Sequence, residues 1–157
     1  VRSLVLLDTN LLVLLVVGLA SPAYIASHRR LRDDFSVSDY ETLVHAISGF
    51  EAIMLVPHVL AETSNLARQI ADPARRLIQE RFRRLVLSVG EIQVPSEVGL
   101  RREEFVRLGL NDAVLLHLCA QSLDGLRPTL LTIDRPLADA ANARGYDVVD
   151  FREFMAS

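Results

Sequence analysis

The stretch Leu4-Val5-Leu6-Leu7-Asp8-Thr9-Asn10-Leu11-Leu12-Val13-Leu14-Leu15-Val16-Val17-Gly18-Leu19-Ala20 is the most apolar in the chain. As one element it would be a signal sequence or a membrane span; broken at Asp8-Thr9-Asn10, it is a buried strand followed by a buried helix. Length favours the second reading. The uninterrupted part, Leu11 to Ala20, has ten residues, where a spanning helix needs about 20. An aspartate and an amide in the middle of a span would add a large insertion cost, and no basic leader precedes the run. No membrane role is expected. Ser3 to Leu7 predicts a strand covered on both faces, and Leu11 to Val17 predicts the helix after it, stopping near Gly18.

The rest of the 157 residues suits one domain, 1–157. Half of the chain is apolar, and a chain of this length buries about two thirds of its unfolded surface, so no disulfide or zinc staple is required. Cys119 is the single cysteine, which points to the cytoplasm. Sparse Gly and Pro exclude collagen-like and disordered classes. All 17 basic residues are arginine, closing any mechanism that needs a catalytic lysine. The net charge of -3 gives no global attraction for nucleic acid, so any such role must come from a local patch.

Outward from the first strand, helical patterns alternate with short apolar runs. Helices are predicted over Pro22 to Leu31, over a segment opened by a Ser38/Glu41 capping box, from Pro57, from an Asp72-Pro73 start to about Leu87, over Val98 to Leu108, from Asn111-Asp112, and over Pro136 to Arg144. Strands are predicted at Ala52 to Val56, Glu91 to Val94, Thr129 to Ile133 and Tyr146 to Val149. This alternation predicts an α/β fold, with a central parallel sheet of four to five strands and helices on both faces.

Open parallel sheets collect ligand sites outside the carboxyl ends of their strands. Asp8 directly follows the first strand, and Asp134 directly follows Leu130-Leu131-Thr132-Ile133. Asp112 opens a helix that is apolar from Ala113 to Ala120 apart from His117, and Glu62 lies about a turn and a half into the helix after Pro57. Four acids brought to one edge repel one another and carry a desolvation cost. A hard divalent cation, Mg²⁺ or Mn²⁺, relieves both and accepts a substrate phosphate beside a few carboxylates. Taken singly, each acid also reads as a helix cap or a solvated charge.

Asp8-Thr9-Asn10, Pro57-His58-Val59-Leu60-Ala61-Glu62-Thr63-Ser64-Asn65-Leu66, Leu108-Gly109-Leu110-Asn111-Asp112-Ala113 and Leu131-Thr132-Ile133-Asp134 resemble the four motifs of PIN-domain ribonucleases in order, spacing and context. The resemblance covers nearly the whole chain. It implies a PIN-like domain and a metal-dependent endoribonuclease that cuts single-stranded RNA. Asp8, Glu62, Asp112 and Asp134 would be the catalytic and metal-holding acids, with Asn10 and Thr132 as polar helpers. It also implies toxin-type relatives, hence a small antitoxin partner and a homodimer. The segment from Ser21 to Phe50 is longer than in compact PIN toxins. Asn111 stands where threonine is frequent and reads as an N-cap.

Arg75, Arg76, Arg83 and Arg84, within a basic group on the Asp72 helix, are the candidate RNA-binding residues. Asp139 is a candidate outer ligand with an exposed helix position as its plainer reading, His58 reads as structural, and Cys119 as inert packing. A phosphoaspartyl site would need a lysine, and Walker or Rossmann loops need glycines that are absent here. A catalytically inactive PIN-fold RNA-binding or assembly module remains the alternative from a different functional class.

Overall fold

The structure, a computed structural model, describes residues 3–122 and 125–155. Four parallel strands, β1 (Leu4–Leu7), β2 (Ala52–Ile53), β3 (Thr129–Thr132) and β4 (Val148–Asp150), form one sheet in the order β2-β1-β3-β4. The helices are α1 (Thr9–Ala20), α2 (Val37–Ser48), α3 (Pro57–Ala67), α4 (Ala74–Val89), α5 (Ser96–Leu100), α6 (Phe105–Leu108), α7 (Leu110–Ala120) and α8 (Arg135–Ala143). Successive side chains of a strand point to opposite faces. Because Val5, Leu6 and Leu7 are all buried, as are Leu130, Leu131 and Thr132, the sheet is covered on both sides. This is the expected α/β class, with four strands.

From β1 the chain proceeds to β2 at one edge, and from β3 to β4 at the other. The direction of winding therefore reverses between β1 and β3, the place where a crevice opens at the strands' carboxyl ends. Helix α1 is buried continuously from Leu11 to Gly18 and packs against α2, α3 and α4. None of the described helices is long and apolar enough to cross a membrane.

Several local expectations need correction. Glu91 to Val94 is not a strand: Ile92 N–H donates to Leu55 O at 2.7 Å, but Pro57 turns the neighbouring chain into α3 directly after this short edge, leaving no ladder to extend. Pro22 to Leu31 is a 3₁₀ helix over Pro22–Ser27 followed by turns, because His28 is drawn into the core. The capping box is Ser36 with Asp39, two residues before the expected pair. Pro73 itself occupies the cap position of α4, though Asp72 Oδ1 still accepts from Arg76 N–H at 3.2 Å. The polar helix over Val98 to Leu108 divides into α5 and α6, with Glu104 buried between Arg102 and Arg144.

Helix α1 continues through Gly18 to Ala20. Gly18 serves packing, since a β-carbon there would collide with the ring of Tyr40 on α2. Gly18→Ala should destabilise the protein by about 1–3 kcal/mol through overpacking, outweighing the gain of about 1 kcal/mol in helix propensity. In a Tyr40→Ser background the same change should stabilise. Denaturant unfolding of the four proteins checks this; stabilisation in both backgrounds would show that the ring simply moves aside.

Candidate functional site

Beyond the carboxyl ends of β1 and β3 lies a cleft of about 420 Å³. Asp8, Glu62, Asp112 and Asp134 all line it, together with Asn10, Arg30, Asn111 and the Leu108–Leu110 turn. The strands deliver Asp8 and Asp134, α3 delivers Glu62, and the first turn of α7 delivers Asp112. Three helix N-termini, those of α1, α7 and α8, begin at this edge, and their partial positive charge offsets some of the acids' repulsion.

The acids are held differently. Asp8 is buried, and its Oδ1 accepts from Leu11 N–H at 2.9 Å, capping α1. Its Oδ2 accepts from Ile133 N–H at 2.9 Å and from the Thr132 hydroxyl. Burial raises the Asp8 carboxyl above the ordinary carboxylate range, against those three hydrogen bonds, and the charge of Asp134 adds to the rise. Asp134 caps α8 through Oδ1 and Leu137 N–H at 3.0 Å, while Thr132 Oγ1 accepts from Asp134 N–H at 2.9 Å. The cap readings of Asp8 and Asp134 are therefore realised in addition to their place in the cleft. Glu62 is exposed, and its Oε2 accepts from the Asn111 side-chain amide.

Asp112 has no such support: among the described residues nothing donates a hydrogen bond to its carboxylate. Burial first, then the charges of Asp134, Asp8 and Glu62, push it up to about 7. All three other acids thus act on Asp112, so the four share one electrostatic field. Yet among the described residues no three His, Cys, Asp or Glu side chains stand close enough to hold a metal ion as placed. The donor set still suits a hard cation. Both oxygens of Asp112, Oδ2 of Asp134 and Oε1 of Glu62 accept no protein hydrogen bond among the described residues, and Mg²⁺ keeps several waters and needs only one or two carboxylates beside a phosphate.

Other expectations fare unevenly. Asn111 lies inside α7 and is not its N-cap; Gly109, at φ 91°, takes that position, freeing the Asn111 amide to reach Glu62. None of Arg75, Arg76, Arg83 and Arg84 lines the cleft. Arg75 Nε donates to the carbonyls of Arg68 and Ile70 at 3.0 and 2.9 Å, and Arg83 pairs with Glu80 at 3.5 Å on the surface. Arg76 and Arg84 are exposed on α4. Asp139 is exposed on α8 and lies outside the cleft lining. His58 donates to or accepts from Ser96 Oγ at 2.7 Å, and burial pushes the Cys119 thiol up to about 12.

Arg30, which no sequence motif marks, also lines the cleft. Its Nε and Nη2 donate to Asn10 Oδ1 at 3.1 and 3.0 Å, and no local pattern signals a contact across twenty residues.

Compared with known proteins, the chain matches no family model, no curated protein and no solved structure.

Two substitutions separate the structural acid from the unsupported one. Thr132→Val removes a donor to Asp8 and the acceptor for Asp134 N–H, and should cost about 1–3 kcal/mol. Asp112→Asn should behave oppositely. A carboxyl whose folded pKa is raised to about 7 from 3.8 binds more protons in the folded state, so stability falls as pH rises through that window. The Asn variant should therefore gain on wild type in thermal unfolding as pH rises toward and past 7. A stability difference that does not change with pH would show that Asp112 is not pressed by its neighbours.

Proposed function

We propose that this protein is a metal-dependent endoribonuclease that hydrolyses single-stranded RNA with Mg²⁺ or Mn²⁺. The observation that carries the reading is Asp112: a half-buried carboxylate without a hydrogen-bond donor among the described residues, held up to about 7 beside three further acids. Such a group is useful when something positive enters the cleft or a proton must move there near neutral pH. Support also comes from the resemblance of the four acidic motifs to those of PIN-domain ribonucleases. The single cysteine is the support for action in the cytoplasm. The resemblance to toxin-type PIN proteins is the support for an antitoxin partner and a homodimer, and the chemistry below needs neither.

Asp8, Glu62, Asp112 and Asp134 would hold the ion, which supplies charge to the phosphate oxygens and lowers the pKa of water. Hydrolysis adds water across a P–O bond, so one proton leaves the attacking water and one reaches the departing oxygen. Asp112, pushed up to about 7 while no ion is bound, would give up its proton as the ion entered, and the two protons of the hydrolysis would be exchanged with solvent. Thr132 and the N-termini of α1 and α8 keep the oxygens of Asp8 and Asp134 fixed, and Asn111 orients Glu62. Rigid oxygens lower the reorganisation required during reaction.

The separation of the acids as placed favours one other reading, an inactive PIN-fold RNA-binding or assembly module. A cleavage assay on purified protein decides between them. Single-stranded RNA should be cut with Mg²⁺ or Mn²⁺, EDTA should stop it, and at limiting metal the rate should rise with pH as Asp112 loses the proton that competes with the ion. Intact RNA under both metals, with any bound partner removed, would leave the module reading.

A further inference from the structure

Arg30 presents its cation at the cleft without forming an ion pair with the acids that line it. Asn10 Oδ1 takes one N–H from Nε and one from Nη2. A guanidinium has five N–H donors, so three remain. Among the described residues no carboxylate forms an ion pair with Arg30, although four line the same cleft. Asn10 therefore fixes the fork and leaves its remaining donors available.

The backbone is fixed as well. His28 is fully buried, and its Nε2 lies 3.1 Å from Ala67 O, which can only accept. Nε2 must then carry the proton, leaving Nδ1 to accept from Arg30 N–H at 3.2 Å. Arg29 N–H donates to Gln69 O at 2.9 Å. The turn carrying Arg30 is thus anchored to the end of α3, the helix that supplies Glu62. A loose surface arginine would have neither anchor.

A cleft lined by four carboxylates repels a polyanion unless a cation meets it at the entrance. Resting on the nuclease reading, we infer that Arg30 is the residue that binds and positions a phosphate of the RNA chain at this site, with Asn10 as its positioning partner. The planar fork suits two oxygens of one phosphate, and Arg30 lines the same cleft as the four acids, so all five can meet one strand. The basic face of α4 lies outside this cleft, so it cannot supply the contact.

The test uses Arg30→Gln, Arg30→Lys and Asn10→Ala in the full chain, with a fluorescent single-stranded RNA oligonucleotide read by anisotropy in EDTA, and cleavage read separately. Arg30 is exposed, so its variants should fold as wild type does, which thermal unfolding checks. Arg30→Gln should weaken binding about ten- to a hundredfold. It should also flatten the slope of log affinity against log salt by about 0.7, one phosphate contact on a single strand. Arg30→Lys should restore the slope without restoring the full affinity, because charge returns and the fork does not. Asn10→Ala should fall between wild type and Arg30→Gln with the slope retained. If wild type binds and cuts the RNA while Arg30→Gln keeps both affinity and slope, this assignment fails alone. If wild type neither binds nor cuts, the nuclease reading fails and takes the assignment with it.

Discussion

The carboxylate of Asp8 ties together the end of β1, the start of α1 and the segment leaving β3. Its three donors, Leu11 N–H, Ile133 N–H and the Thr132 hydroxyl, come from both sides of the crevice. Strands β1 and β3 are the central pair of the sheet, and the chain departs from them toward opposite edges. Asp8 therefore sits where such a sheet opens, and its hydrogen bonds join the segments that leave the two paired strands. Thr132 extends the link to Asp134 by accepting its N–H. Burying an ionisable group here costs free energy, and the raised Asp8 pKa reflects that cost.

With this junction fixed, the remaining acids fall into an order of restraint. Asp134 is capped and half-buried, Glu62 is exposed and steadied by Asn111, and Asp112 has only the start of α7 to favour its charge. Helix N-termini make such a gathering tolerable without abolishing the repulsion. The charges of all three other acids act on Asp112, so an added positive charge would relieve repulsion there. Arg30, held back by Asn10, leaves that repulsion in place and adds a cation at the cleft.

Much of this was legible in the chain. Asp8 and Asp134 announced themselves because each ends an apolar run too short to be anything but a buried strand, and Asp112 because the helix after it is apolar on nearly every side. The α/β class followed from alternation. Other features depended on contacts distant in sequence. Ile92 and Val94 alternate inward as a strand would, and only the brevity of β2 denies them a ladder. Gly109 takes the cap position that Asn111 was expected to fill, which a positive φ allows and the sequence pattern does not announce. Arg75 belongs to the same basic run as Arg76, yet it turns back to the carbonyls that end α3. Arg30 reaches the cleft because His28 meets Ala67, a pairing across 39 residues.

The central claim is that the four carboxylates act together as a cation pocket. Titrating Mg²⁺ into the metal-free protein by calorimetry, in two buffers of different ionisation enthalpy, tests it most directly. The pH should lie slightly below the value of about 7 at which Asp112 gives up its proton. Saturable binding by wild type with net proton release, and binding by Asp112→Asn with that release lost, is the result the account predicts. No saturable binding by wild type, or equal proton release from both proteins, would contradict it.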